Sequence, residues 1–190
     1  PILRDMGCAF VTSAVEAVDN RILEIFDKHH TREEFIRVAQ MFRELGMVLQ
    51  PTFVAFNPWI SLEGYGDLLT LIAELDLIDQ VPSIQYAIRL LVPAGSRLLE
   101  LADTREWLGE FDAERLCYTW THRDARMDEL QKKVLGIVQA GGARKLSRRE
   151  IFKEVWDAAV FPLPFRERAR VRVNALVSKP IPYLSEPWYC

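Results

Sequence analysis

Three polar side chains stand within or at the end of strongly apolar segments, where a carboxylate, an amide and a guanidinium could bind a polar ligand. Glu16 and Asn57 close two of these segments, and Arg89 lies within a third. Residues 47–59 form a long, mainly apolar run with Ser61 after it as a helix cap, which predicts a strand buried on both faces of a parallel sheet. Ligands bind at the carboxyl ends of such strands. The sequence therefore predicts a binding site there and leaves its reaction open.

A βα repeat is predicted to position these residues. Mainly apolar runs begin near residues 8, 47 and 83, a spacing of about one βα unit, and right-handed crossovers would lay the three strands parallel. Between the first two runs, Thr31 and Glu34 predict a capping box for a helix with one apolar face. The pattern is typical of half a barrel or half a doubly wound sheet.

The second half of the chain is predicted to be mainly helical. A turn signal at residues 93–96 ends the βα pattern, which divides the chain into residues 1–100 and residues 101–190. Helix starts are predicted at Asp124, at Ser147 and near Phe165. Prolines recur through residues 179–190, which predicts an extended tail.

Composition and charge exclude several classes of protein. Of the 190 residues, 49% are hydrophobic and 27% are charged, which suits one sizeable core and is too balanced for disorder. The formal net charge of −3 gives no electrostatic footprint for a nucleic acid, and the basic run at residues 144–149 is typical of a solvated helix start. No apolar stretch is long enough to span a membrane, and no signal-peptide core follows Pro1, so a cytoplasmic protein is expected.

The three cysteines are too widely spaced for a disulfide framework or a metal cluster, and reduced thiols are expected. Cys8 and Cys117 stand among apolar residues and fit inert core thiols. Cys190 ends the proline-spaced tail, where a redox thiol and a terminus without function fit equally well.

Short motifs carry a resemblance to a known family. They are Val15-Glu16-Ala17, Asp19-x-x-Ile22-Leu23, Lys28-x-x-Thr31, Phe42-x-x-x-Gly46, and Pro51-Thr52-Phe53-Val54 with Pro58. This pattern resembles the fourth and fifth βα units of the radical S-adenosylmethionine partial barrel. Three further motifs are similar to the subfamily that ends in a CUAEP or CCAEP tail: residues 85–96, Trp120-x-His122-x-Asp124, and the terminal Glu186-Pro187-Trp188-Tyr189-Cys190.

The resemblance implies an α/β fold and a set of cofactor contacts. Residues 1–100 would be the C-terminal three βα units of a partial (β/α)6 barrel, followed by a mainly helical extension. Glu16 would lie near the ribose and amino-acid groups of S-adenosylmethionine, and Asn57 would lie in the strand that backs the adenine. Arg89 would meet a carboxylate of the cofactor or of the substrate.

The resemblance also implies that this chain is the C-terminal part of a longer protein. The full-length enzyme would bind S-adenosylmethionine and a four-iron four-sulfur cluster, but the three-cysteine motif that holds the cluster is absent from these 190 residues. We therefore expect the chain to hold neither cofactor by itself and to be inactive alone. Its substrate, a small molecule or a peptide, is not identified.

Two further expectations concern the ends of the chain. The exposed edge of the first strand would be covered by the missing N-terminal half or by a second copy of the chain. The family tail continues past Tyr-Cys with a cysteine or a selenocysteine. A recoded stop codon after Cys190, and hence a selenoprotein, is therefore a hypothesis.

The alternative function is a non-catalytic protein-interaction module with a small α/β core, which predicts covered sheet edges and no converging polar groups. Arg89 fits a structural ion pair as well as a ligand site. His122 fits a hydrogen bond at a helix start better than a ligand or a base. A hydrolase is not favoured, because the sequence contains no nucleophile elbow.

Overall fold

The computed structural model describes residues 2–160. The helices are α1 (Ile2–Asp5), α2 (Asn20–Ile25), α3 (Arg32–Glu44), α4 (Leu62–Glu74), α5 (Ala125–Ala143) and α6 (Arg148–Val160). The strands are β1 (Phe10–Glu16), β2 (Val48–Phe53), β3 (Val92–Pro93), β4 (Leu108–Asp112) and β5 (Cys117–Trp120). Short 3₁₀ helices cover Ser83–Tyr86, Arg97–Glu100 and Thr104–Glu106. The predicted helix near Phe165, the tail at 179–190 and Cys190 lie outside the described residues.

The first sheet consists of β1 and β2, which run parallel with Phe10 opposite Val48. A parallel pair needs a crossover connection, and α2 and α3 supply it. α3 begins at Thr31, whose hydroxyl accepts a hydrogen bond from Glu34 N at 3.2 Å. The Glu34 carboxylate accepts one from Thr31 N at 2.9 Å, so the predicted capping box is confirmed.

The third strand that the sequence predicts at residues 83–91 does not form. Ser83–Tyr86 turns as a 3₁₀ helix, and a single parallel bridge between Phe56 and Arg89 continues the sheet beyond β2. Within residues 2–160 the parallel sheet therefore has two strands, and there is no barrel. The prediction of three βα units of a partial (β/α)6 barrel was wrong.

The side chain of Gln85 accounts for much of this difference. Its Oε1 accepts a hydrogen bond from Phe53 N at 2.7 Å, and this engages a donor at the end of β2 without a neighbouring strand. Apolar periodicity reports burial and not backbone pairing, so the run at 83–91 resembles a strand without being one.

A second, antiparallel sheet lies in the region that was predicted to be mainly helical. Its strand order is β3–β5–β4. The β4–β5 hairpin turns at Asp112, whose Oδ1 accepts hydrogen bonds from Glu114 N at 2.9 Å and Arg115 N at 3.1 Å. Phe111 and Tyr118 pair across the hairpin with ring centroids 5.1 Å apart. Turn chemistry and this aromatic pair make the segment a hairpin, so the helical prediction was wrong there.

The last two described helices begin where the sequence predicts. Asp124 caps α5 by accepting a hydrogen bond from Arg126 N at 3.0 Å. Ser147 and Glu150 form a reciprocal pair ahead of α6, with Glu150 N donating to Ser147 Oγ at 3.3 Å and Ser147 N donating to the Glu150 carboxylate at 2.8 Å.

Buried side chains form two groups. The main core lies between the parallel sheet and helices α2 to α6. A smaller cluster consists of Val92 in β3, Trp120 in β5 and Trp107, the residue before β4. Trp59 packs against both groups, edge-on to Phe26 at 5.9 Å and to Trp107 at 5.4 Å between ring centroids. Between residues 2 and 160, no helix is long and apolar enough to cross a membrane.

Candidate functional site

An open cleft of about 640 Å³ lies at the carboxyl ends of β1 and β2, and we call it the strand-end cleft. Apolar side chains make up much of its wall, and charged groups from three segments line it as well. The lining residues are Glu16, Ile25, Phe26, Asp27, Lys28, Val54, Leu90, Ser96, Arg97, Leu98, Glu100 and Leu101. This position is where parallel sheets place their ligand sites.

Glu16 enters the cleft from an irregular strand end. Its φ of 67° lies in the left-handed region, and the register of β1 against β2 shifts between Ala14 and Glu16. The backbone is held there because Glu16 O accepts a hydrogen bond from Val54 N at 2.9 Å. A left-handed residue other than glycine is strained, and such strain concentrates at functional sites. The bend directs a carboxylate into the cleft.

Lys28 is the partner of that carboxylate. Its Nζ lies 3.1 Å from Glu16 Oε1, and both side chains are partly buried, at 30% and 22% exposed. Asp27, two residues after the end of α2, has a φ of 56°, and Lys28 N donates to Leu23 O at 2.9 Å. The signal for this pair in the sequence is weak, because a lysine after a helix end is also expected from the helix dipole.

The opposite wall of the cleft is the segment 96–101. Ser96 Oγ accepts a hydrogen bond from Leu98 N at 3.3 Å, and Thr104 Oγ1 donates to Leu98 O at 2.8 Å. Arg97 reaches across to Asp27 with a 3.0 Å ion pair, although both side chains are largely exposed. The wall is therefore fixed internally and joined to the end of α2 by a weak surface contact.

Arg89 lies outside the lining of the cleft, while its neighbour Leu90 contributes to it. The Arg89 guanidinium binds Asp128 Oδ1 at 2.6 Å and donates to Trp120 O at 2.6 Å. It also lies 3.6 Å from the centroid of the Trp120 ring. Arg89 thus joins the segment after the 3₁₀ turn to β5 and α5, in the geometry of a structural ion pair.

Asn57 is fully buried and belongs to the turn after β2. Its Nδ2 donates to Val54 O at 3.2 Å, and its Oδ1 accepts from Trp59 N at 3.1 Å. Both ends of the amide are therefore engaged within the six residues 54–59. These two hydrogen bonds shape the turn beside Val54, which lines the cleft. Asn57 itself is not among the residues that line the cleft.

His122 connects two segments near the start of α5. Its Nε2 lies 2.8 Å from Ile60 O, and its Nδ1 accepts from Asp124 N at 2.9 Å. Its backbone N–H donates to the Asp128 carboxylate at 3.0 Å. These contacts match the helix-start hydrogen bond that the sequence favours for this residue.

Metal-ligating side chains do not gather in the described part of the chain. Residues 2–160 contain no group of three or more His, Cys, Asp or Glu side chains placed to hold a metal ion. Cys8 and Cys117 are both half-buried and unpaired by disulfides. Two clear pKa shifts belong to groups away from the cleft: burial raises the pKa of Tyr65, and hydrogen bonds from Arg126 lower the pKa of Asp124 to about 2.

Of the three residues that the sequence proposes for the site, Glu16 lines the cleft, whereas Asn57 and Arg89 engage the surrounding structure. The structure brings Glu16 together with Lys28 and, across the cleft, with the segment 96–101. Comparisons of the chain with models of protein families, with curated proteins and with solved structures found no match.

Proposed function

We propose that this chain contributes the strand-end cleft to the S-adenosylmethionine site of a radical enzyme whose iron–sulfur cluster is held by other residues. The proposal is carried by the Glu16–Lys28 pair, which places one anion and one cation beside an apolar wall. Radical chemistry is what the cofactor and the cluster would supply. The chain's own part is to bind and orient the ligand.

The charges of the cleft suit the amino-acid group of this ligand. The Glu16 carboxylate can accept hydrogen bonds from an ammonium group, and the Lys28 ammonium can donate to a carboxylate. A ligand that carries both an ammonium and a carboxylate would replace the Glu16–Lys28 ion pair with two ion pairs, one to each residue. Phe26, Leu98 and Leu101 offer apolar surface for its remaining atoms. The cleft volume lies within the range of about 300–1,000 Å³ that small-ligand sites occupy.

The open edge of β1 supports a site completed by another segment or by a second copy of the chain. Among the described residues, β1 pairs with β2 alone. Thr12 and Ala14 in β1 are exposed, as are the apolar side chains of Ile2, Leu3 and Met6 just before it. Unpaired strand edges are usually covered in native assemblies. The non-catalytic interaction module instead predicts no converging charges, and the Glu16–Lys28 pair argues against it.

Titration of the isotopically labelled chain with S-adenosylmethionine, followed by NMR, tests the proposal. The partial site of the isolated chain is not expected to retain the cofactor, so we expect weak, rapidly exchanging binding that shifts the signals of Glu16, Lys28 and residues 98–101. Lys28→Met should weaken binding by about tenfold, since the ligand carboxylate loses its partner. Lys153→Met is the matched control, because Lys153 pairs with Asp157 on α6 and not with the cleft.

Two results would reject the proposed function. The first is the absence of any shift in the cleft at millimolar ligand. The second is equal binding of adenosine and S-adenosylmethionine, because adenosine lacks the amino-acid group that the Glu16–Lys28 pair would recognise.

A further inference from the structure

The backbone makes a γ-turn at Glu16, at the point where β1 reaches the strand-end cleft. Ala17 N donates to Val15 O at 2.8 Å, which closes a three-residue turn around the Glu16 φ of 67°. We call residues 15–17 the Glu16 turn. A γ-turn with a positive φ is rare and strained, so it persists only where the surrounding structure holds it.

The connection between α2 and α3 contacts the Glu16 turn at two points. Lys28 Nζ lies 3.1 Å from Glu16 Oε1, which holds the side chain. Two residues later, His30 Nε2 lies 3.2 Å from Val15 O, which holds the backbone. His30 directly precedes Thr31, whose capping box fixes the start of α3. The imidazole is therefore presented to the turn from an anchored segment.

The contact between His30 and Val15 determines which group is the donor. A carbonyl oxygen can only accept, so His30 Nε2 carries the proton. Val15 O then accepts two hydrogen bonds, one from Ala17 N and one from the imidazole, which engages both of its lone pairs. His30 is half-buried, which limits competition from water. The imidazole thus supports the same carbonyl that closes the turn.

We propose that His30 is a positioning residue of the strand-end cleft. By donating to Val15 O it stabilises the Glu16 turn, and the turn holds the Glu16 carboxylate where a ligand ammonium can meet it. His30 is not among the residues that line the cleft, so it acts through Glu16 and not by touching the ligand. The identity of the ligand rests on the proposed function, whereas the orientation of Glu16 does not.

The orientation of Glu16 can be measured without a ligand. Nuclear Overhauser effects between the side chains of Glu16 and Lys28 report their contact in the isotopically labelled chain. His30→Leu fills the space but has no donor, so these effects should weaken or disappear. His30→Gln should retain them, because a glutamine amide can donate from nearly the position of the imidazole Nε2. His29→Leu is the matched control, since His29 is the exposed neighbour on the same connection.

Binding shows whether this orientation matters. His30→Leu should weaken S-adenosylmethionine binding by about three- to tenfold, the effect of one lost hydrogen bond. Adenosine binding should not change, because adenosine lacks the amino-acid group that Glu16 would contact. A contact that only stabilised the fold would lower both affinities alike. His30→Gln should recover the S-adenosylmethionine affinity. If His30→Leu does not fold, His30→Asn replaces it, since the asparagine amide is too short to reach Val15 O.

The inference is overturned if His30→Leu keeps the effects between Glu16 and Lys28, if it weakens both ligands equally, or if His30→Gln recovers nothing. Loss of those effects in His30→Leu, with no S-adenosylmethionine binding by the wild type, would reject the proposed function alone. Wild-type binding that His30→Leu leaves unchanged would reject the positioning role alone.

Discussion

Glu16 combines backbone strain with a partly buried charge, and the two effects can be measured separately. Its φ of 67° departs from the extended backbone of β1, and its carboxylate pairs with Lys28 at 3.1 Å. The ion pair is partly exposed and contributes at most about 1 kcal/mol to folding. The left-handed conformation costs roughly 1–2 kcal/mol for a residue with a Cβ. The strain therefore offsets the pair, which fits a carboxylate retained for binding and not for stability.

Glycine at position 16 should be better tolerated than alanine. Both substitutions remove the carboxylate, but only glycine relieves the left-handed strain. We expect Glu16→Gly to be more stable than Glu16→Ala by about 1 kcal/mol in urea unfolding. At Thr12, an exposed position of β1 with ordinary backbone, the order should be reversed. A Glu16→Ala variant that is as stable as Glu16→Gly, or more stable, would contradict the prediction.

Asp124 gives a pH dependence of stability. Hydrogen bonds from the Arg126 side chain and backbone lower the pKa of Asp124 from 3.8 to about 2 in the folded state. A lowered pKa means that the folded state favours the carboxylate. Its contribution is therefore fully present above pH 3.8 and is lost as the pH falls through about 2.

Asp124→Asn keeps a capping acceptor but cannot titrate. The stability difference between the wild type and this variant should be constant above about pH 4 and should shrink toward pH 2. Urea unfolding across this range measures it. A difference that does not change with pH would contradict the prediction.

Sequence alone could identify Glu16, because the residue closes an apolar run. It could not identify the rest of the cleft. Arg97 meets Asp27 across 70 residues of chain, and that contact depends on where the segment 96–101 folds back. Arg89 illustrates the converse. Its type and position suited a ligand site, but its partner Asp128 is 39 residues away and became apparent only in three dimensions.

Arg89 joins the end of the parallel sheet to the second sheet and to α5. Its single bridge to Phe56 continues the sheet, and its guanidinium binds Asp128 and the carbonyl and ring of Trp120. Trp120 Nε1 returns a hydrogen bond to Leu90 O at 2.8 Å. These contacts fix Leu90 in the wall of the strand-end cleft.

Replacing Arg89 with methionine should destabilise the fold by about 1–3 kcal/mol, because Asp128 loses a charged partner and Trp120 O loses a donor. Arg89→Lys should recover only part of this, since lysine lacks the planar fork that contacts both groups. Arg126→Met is the control: the side chain is 70% exposed, so the loss of its pair with Asp124 should cost less stability than Arg89→Met does. Chemical denaturation measures the loss in free energy of unfolding for each of the three variants. If Arg89→Met loses no more than Arg126→Met does, Arg89 does not hold the two sheets and α5 together.

Elements with local signals were predictable, and elements that depend on distant partners were not. The β1–α3–β2 unit follows from two apolar runs and the capping box at Thr31. The third strand failed because Gln85 contacts Phe53 N across 32 residues. The hairpin of β4 and β5 has a local turn signal at Asp112, but β4 is short and mostly exposed, so it lacks the apolar alternation that marks a strand.

For the molecule as a whole, the strand-end cleft lies between two packed units. Glu16 and Lys28 come from the side of the main core, and the segment 96–101 adjoins the cluster of Val92, Trp107 and Trp120 through Leu99. Trp59 packs against both groups of buried side chains and donates from Nε1 to Asp103 at 2.8 Å. Trp59 is therefore one of the contacts that join the two walls of the cleft, together with the Arg97–Asp27 pair and the contacts of Arg89.

Trp59→Ala should separate the stability of the two units. Loss of a large aromatic side chain costs about 3–5 kcal/mol, and here the cost falls on the contact between them. Hydrogen exchange should show residues 92–120 opening before the main core, whereas the wild type should open both together. Trp156→Ala removes a tryptophan that packs on Phe152 within the main core, 5.9 Å between centroids, and should lower stability without separating the units. If Trp59→Ala lowers protection equally everywhere, Trp59 is not the contact that couples the two units.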